Sequence, residues 1–150
     1  NIVGVELSEI AVKELFEELY ILPKISEENG MICYQNEGIR IFVGDVFHLD
    51  NKMVGNIDAI YDRAALVALQ KDTRIKYTQH LRELTNNASQ ILICCEYDQN
   101  LMNSTPYSID ENEIKEHYEN HHTIELLEKI EIKGGLKGKY TAADTVWMLH

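Results

Sequence analysis

Residues 2–9 read Ile2-Val3-Gly4-Val5-Glu6-Leu7-Ser8-Glu9. Ile2–Leu7 is short, β-branched and almost wholly apolar, the pattern of a strand covered on both faces, as in a parallel sheet. Ser8 is then a natural helix N-cap, with Glu9 in the first turn, where the helix dipole favours an anion. The spacing predicts a helix over about Glu9–Tyr20, with Ala11, Leu15, Phe16 and Leu19 on one stripe. A buried strand running straight into a capped helix points to an α/β fold.

Further along, the same alternation continues. Pro23 and Gly30 bracket a loop. Met31–Tyr34 and Ile39–Val43 flank Gln35-Asn36-Glu37-Gly38, which reads as a hairpin-like turn, and Gly44-Asp45 ends the second of these strands. Ile57–Tyr61 reads as the next buried strand, followed by Asp62-Arg63-Ala64-Ala65-Leu66. A helix over about Lys71–Leu84 carries Ile75, Leu81 and Leu84. Gln90–Glu96 (QILICCE) is the most strand-like run in the chain. Asp98–Ser108 is a polar loop containing Pro106, and Asp110–His117 is a short helix capped by Ser108 or Asp110. Thr123–Ile132 alternates and ends at the Gly134–Gly138 loop, and Ala143–Leu149 is a terminal strand. The expectation is a single domain over residues 1–150: a mostly parallel sheet with helices on both faces. No helix separates the last two strands, so the last is expected to run antiparallel.

The 150 residues are 45% hydrophobic and 26% charged, the mix of a globular protein. Fourteen basic against 25 acidic side chains give a net charge of −11. With basic residues scattered singly, this balance argues against a nucleic-acid partner and against an anionic membrane surface. No apolar run reaches the ~18–20 residues of a membrane span. The three cysteines, Cys33, Cys94 and Cys95, do not make a disulfide framework. Cys94 and Cys95 are strand neighbours facing opposite ways and read as small buried residues, with the cytoplasm as the expected location. The chain opens inside a strand without a methionine, so we expect it to be the C-terminal two-thirds of a longer parent.

In a doubly wound sheet, ligands bind outside the carboxyl ends of the strands. Spacing alone puts Glu6, Asp45, Asp62-Arg63 and Glu96-Tyr97-Asp98 there. A carboxylate at such an end can accept from ribose hydroxyls, or it can sit at the surface beside a helix N-terminus. Arg63 can serve a ligand or pair with Asp62 or Asp58. Tyr97 and Asp98 can reach a ligand or anchor their loop. His117, His121 and His122 include an i, i+4 pair but no HExxH, and read as solvated side chains rather than metal ligands. Gly134-Gly135 with Lys133, Lys137 and Lys139 reads as a mobile connection, and Trp147 as a packed aromatic.

Three segments carry a resemblance. Val3-Gly4-Val5-Glu6-Leu7-Ser8, Gly44-Asp45-Val46-Phe47 and above all Asp58-Ala59-Ile60-Tyr61-Asp62-Arg63-Ala64-Ala65-Leu66-Val67-Ala68-Leu69 resemble the thiopurine S-methyltransferases. Glu96-Tyr97-Asp98-Gln99 and Pro106-Tyr107-Ser108-Ile109-Asp110-Glu111 follow in the same order. The resemblance implies a Rossmann-like class I methyltransferase using S-adenosyl-L-methionine as cosubstrate and a small aromatic or heterocyclic thiol, such as a thiopurine, as acceptor. Relatives that methylate selenium or tellurium compounds form an alternative, as does a truncated, catalytically incompetent binding fold. By resemblance Glu6 matches the residue that holds the cosubstrate ribose, and Asp45 and Val46 match the pair against its adenine. Arg63 borders cosubstrate and acceptor, and Pro106-Tyr107 lies near the acceptor. Ser104-Thr105 departs from the family's usual Gly-Pro-Pro-Phe pattern at this loop. The resemblance implies no metal. The family's first, central strand and its glycine loop have no counterpart here, and the 150-residue stretch by itself is expected to bind the cosubstrate weakly.

Overall fold

The computed structural model describes all 150 residues, which form two units, Asn1–Gly55 and Asn56–His150. In the first unit, β1 (Ile2–Glu6) leads into α1 (Glu9–Glu18), followed by β2 (Lys24–Glu28), β3 (Met31–Asn36), β4 (Ile39–Val43) and a one-turn helix α2 (Asn51–Val54). The strand order is β1-β4-β3-β2. β1 lies parallel to β4, and the other neighbours are antiparallel. Ser8 caps α1 as its sequence predicts, its hydroxyl accepting from the Ala11 N–H at 3.3 Å. The buried stripe of α1 is Val12 and Phe16, packed with Tyr34 and Ile41. Ala11, Leu15 and Leu19, expected on that stripe, are exposed, because the sheet meets the helix along the Val12–Phe16 line.

In the second unit, β5 (Ala59–Arg63) leads through a 3-10 turn (Leu66–Ala68) into α3 (Lys71–Thr85), then β6 (Ser89–Tyr97), α4 (Glu111–Tyr118), β7 (Ile124–Glu131) and β8 (Ala142–Leu149). The order is β5-β6-β8-β7, with β5 parallel to β6 and the other two pairs antiparallel. Tyr77, Leu81 and Leu84 from α3, Ile114 and Tyr118 from α4, Leu92 from β6 and Leu149 from β8 are buried. All three cysteines are buried and free, and Trp147 is packed, its indole N–H donating to Thr145 Oγ1 at 3.0 Å.

The α/β class and the antiparallel last strand are as the sequence predicts. The mostly parallel single sheet is not: there are two mixed four-stranded sheets, each with one parallel pair. The reason is connection length. β2-β3 and β3-β4 are joined by two-residue turns and β7-β8 by residues 132–141, all shorter than the dozen or so residues that a parallel crossover needs. β2 occupies the span read as a loop. Its turn into β3 is Asn29-Gly30, with both residues left-handed (φ 49° and 78°), the geometry that favours a two-residue hairpin. β1 and β5 each have a single strand neighbour, so neither is covered as a buried strand is: Ile2 is 62% and Tyr61 67% exposed. β5 also starts two residues later than Ile57–Tyr61, which places Asp62 and Arg63 inside the strand.

His117 and His122 are buried rather than solvated. His117 Nε2 lies 3.3 Å from Glu113 Oε1, and the same carboxylate faces Arg74, whose Nε is 2.7 Å away. Arg74 Nη1 also donates to the Leu69 carbonyl at 3.0 Å. This cluster ties α3 to α4 in the interior of the unit.

Two outcomes follow from this geometry. Gly134 and Gly135 in the β7–β8 connection are both left-handed (φ 84° and 77°), but only at Gly135 would an added Cβ meet backbone, 2.5 Å from the Tyr140 carbonyl oxygen. Gly134→Ala is expected to cost about 1 kcal/mol and Gly135→Ala about 2–3 kcal/mol in urea unfolding, strain plus overpacking; equal costs would contradict the close approach. For Glu113, burial raises the carboxyl, but the His117 bond and the Arg74 charge outweigh it and hold it below the ordinary value of 4.5. A carboxyl lowered in the folded state stabilises above its unfolded pKa, and this is lost as pH falls through the folded value. Stability is therefore expected to fall as pH drops below about 4.5, and Glu113→Gln to flatten that decline while lowering stability at neutral pH. An unchanged acid slope in the variant would show that another group is responsible.

Candidate functional site

Parallel pairing sets β1 and β4 side by side with Glu6 opposite Val43, and the Gly44 N–H donates to the Glu6 carbonyl at 2.9 Å. The two strands thus end together, and the residues that follow diverge from one edge. Gly44 makes its turn at φ 147°, a conformation side-chain-bearing residues rarely adopt. Glu6 Oε1 accepts the Ser8 N–H at 2.8 Å, and Asp45 Oδ1 accepts the Phe47 N–H at 3.0 Å. Each carboxylate braces its own loop and remains exposed, with Val46 half-buried next to Asp45. Beside Glu6 lies an open recess of about 200 Å³ lined by Gly4, Val5, Val12 and Ile41 among others. Gly4 keeps it in shape, since a Cβ there would come within 2.8 Å of Ile41 Cδ1.

In the second unit the corresponding edge is the carboxyl end of β5 and β6. Arg63 closes β5, is exposed and forms no ion pair, neither with Asp58 nor with Asp62. Its neighbours are unusual. Ala64 is left-handed at φ 67°, and Asp62 is 3% exposed. The Tyr77 hydroxyl donates to Asp62 Oδ2 at 2.9 Å, and the Gln90 amide reaches the same oxygen at 3.5 Å. Burial raises the Asp62 carboxyl; the Tyr77 hydroxyl and the Leu66 and Ala65 amides pull the other way.

The segment bearing Pro106 and Tyr107 is held to the turn after Arg63. The Tyr107 N–H donates to the Val67 carbonyl at 2.7 Å, and the Arg74 guanidinium lies 5.6 Å from the Tyr107 ring centroid. From β6, the Tyr97 hydroxyl donates to the Pro106 carbonyl at 2.7 Å. Ser108 is not a helix cap. Its hydroxyl donates to the Tyr97 carbonyl and accepts the Tyr97 N–H, and Asp110 caps α4 through the Glu113 N–H. Lys137, in the β7–β8 connection, donates to the Thr105 carbonyl at 3.1 Å, so this connection is tethered to the same segment. Tyr97 therefore anchors the loop, Asp98 caps a turn through the Asn100 N–H, and Glu96 is taken up by Lys129 at 2.8 Å. The histidines form no group that could hold a metal ion.

Sequence reasoning placed Glu6, Asp45, Val46, Arg63, Pro106 and Tyr107 at candidate positions and missed Tyr77, Gln90 and Arg74. A tyrosine and an arginine three residues apart in a polar helix carry no local sign of facing inward. The sign that was available is spacing: Arg74, Tyr77, Thr78 and Leu81 share one helix face.

Known proteins bear on what the edges serve. The family model for thiopurine S-methyltransferase matches residues 1–146. A thiopurine S-methyltransferase of Teredinibacter turnerae is 45% identical over 149 residues, covering 99% of this chain and 70% of that protein. One of Xanthobacter autotrophicus is 41% identical over 150 residues, covering 100% and 70%. Among solved structures, the small RNA methyltransferase HEN1 superposes with a TM-score of 0.57 at 10% identity, over 100% of this chain and 20% of that one, a likeness of fold alone. On the strength of the family match and these identities, the chain belongs to the thiopurine S-methyltransferase family.

Proposed function

We propose that this chain serves transfer of a methyl group from S-adenosyl-L-methionine to the sulfur of a small aromatic or heterocyclic thiol such as a thiopurine. The observation that carries the reading is Arg63: exposed, free of any ion pair, at the carboxyl end of a parallel strand and inside the most family-specific segment of the sequence.

The residues present suit the cosubstrate. Glu6 is an exposed carboxylate at a strand end, an acceptor set that matches a pair of ribose hydroxyls, and the recess next to it is lined by apolar atoms and backbone. Asp45 and Val46 offer an acceptor and an apolar surface for the adenine from the neighbouring strand end. When bound, S-adenosyl-L-methionine supplies a sulfonium methyl group that is already activated. The protein's task is then proximity and orientation, without a metal or a covalent intermediate. Arg63 orients an anionic acceptor or the cosubstrate carboxylate through fixed guanidinium donors. Pro106 and Tyr107 border the acceptor, and the half-buried Tyr107 ring gives it an aromatic surface. Arg63, Pro106 and Tyr107 would hold a thiol acceptor toward the methyl group that the bound cosubstrate would supply.

In the full-length gene product, calorimetry should show Glu6→Gln weakening cosubstrate affinity by about 1–3 kcal/mol, the loss of a charge-assisted bond; unchanged affinity would remove Glu6 from the site. Arg63→Ala is expected to lower kcat/KM for a thiopurine acceptor at least ~10-fold with the melting temperature unmoved, because the side chain has no structural partner to lose. Full activity in that variant, or no methyl transfer to any thiol by the wild-type protein, would overturn the reading.

A further inference from the structure

Arg63 is flanked by two features that cost stability. On one side is a carboxylate buried to 3% exposure with no cation paired to it; on the other is a left-handed alanine, φ 67°. A fold under no functional demand has simple remedies for both: an apolar side chain at 62 and glycine at 64. Their coincidence at one turn, next to the residue proposed to meet the acceptor, calls for an explanation in that residue's placement.

From these observations we infer that Asp62 is the positioning residue for Arg63 and, through the turn it holds, for the Pro106–Tyr107 segment. This rests on the function proposed above, in the form in which Arg63 faces the acceptor and not the cosubstrate carboxylate. The chain of contacts is short. The Asp62 side chain leaves β5 on the face opposite Tyr61 and Arg63, toward α3 and β6, where the Tyr77 hydroxyl and the Gln90 amide fix it. The Ala65 and Leu66 amides of the following turn lie close enough to the same carboxyl to pull its pKa down, while its Oδ1 carries no hydrogen bond. That turn runs into Leu66–Ala68, and the Val67 carbonyl there receives the Tyr107 N–H at 2.7 Å. One buried carboxyl group, fixed by Tyr77 and Gln90, thus sits at the start of a turn whose first residue is strained, whose preceding residue is Arg63, and whose end carries the acceptor-side segment. Its Oδ2 takes neutral donors and no cation, and its Oδ1 is buried without a hydrogen bond. An ion pair would supply a competing partner for a nearby arginine or carboxylate. Neutral donors leave Arg63 without one.

Two substitutions separate positioning from mere support. Asp62→Asn keeps shape and one acceptor oxygen but replaces the carboxyl with an amide; Tyr77→Phe removes only the hydroxyl. In the full-length gene product each is expected to lower kcat/KM for the thiol acceptor, about 10-fold and about 3-fold, while cosubstrate affinity stays within about twofold. In a double-mutant cycle, Asp62→Asn added to Arg63→Ala should cost almost nothing further, because Asp62 acts through Arg63. Additive losses, or a loss of cosubstrate affinity equal to the loss in kcat/KM, would overturn the inference. If Asp62→Asn does not fold, Tyr77→Phe carries the cycle. Hydrogen exchange supplies a readout independent of turnover: both variants should speed exchange in residues 64–68 and at the Tyr107 amide, leaving β6 protected. Unchanged protection at Tyr107 overturns the inference even if the enzyme is active. If no methyl transfer is seen in the wild type but exchange rises as described, the proposed function fails and the mechanical link stands.

Discussion

Parallel pairing is the constraint on which both candidate edges depend. Two parallel strands end at the same edge, and the chain must leave that edge through segments that cannot be tight hairpins. β1 and β4 do this in the first unit, and β5 and β6 in the second. At each edge a residue that ends a strand or follows one is polar and exposed: Glu6 and Asp45 in one, Arg63 in the other. The antiparallel strands β2, β3 and β4, by contrast, turn back within two residues.

This is also why the candidate positions were legible in the sequence while the sheets were not. A strand end is a local event: an apolar β-branched run stops and a polar residue with a cap or a glycine follows, as in Glu6-Leu7-Ser8 and Val43-Gly44-Asp45. Strand order is not local. Nothing in residues 24–28, three of them charged, marks a strand by hydrophobicity; the marker is the Asn29-Gly30 turn that follows. Likewise Ile57–Tyr61 reads as a buried run, yet the alternation of exposed Tyr61, buried Asp62 and exposed Arg63 puts the strand two residues later. A charged residue buried in a strand reverses the pattern on which the reading relies.

The partners of the site lie further beyond reach. Asp62 meets Tyr77, 15 residues on, and Gln90, 28 residues on. Arg74 meets Glu113, 39 residues on. These are contacts between elements, fixed by which face of α3 turns inward, and α3 is polar enough that its inward face has to be read from Leu81 and Leu84 alone.

The two buried charge centres of the second unit solve the desolvation problem in opposite ways. Arg74 and Glu113 neutralise each other, with the Leu69 carbonyl taking another guanidinium N–H and His117 another carboxylate contact. Such a cluster is costly to break by removing one partner, because the other is left charged in the interior. It therefore locks α3 against α4 and, through the Tyr107 ring over the guanidinium, fixes where the acceptor-side segment can lie. Asp62 has no counter-ion, and its carboxyl is raised accordingly, while Glu113 is lowered. The paired cluster holds helices together, and its geometry tolerates no choice. The Asp62 carboxyl is held at Oδ2 by the Tyr77 hydroxyl and the Gln90 amide, from the two elements behind the turn, and its Oδ1 has no hydrogen bond. A rigid clamp behind the acceptor-side segment and a buried carboxyl without a cation beneath Arg63 leave Arg63 as the cationic side chain at this edge with no anionic partner of its own.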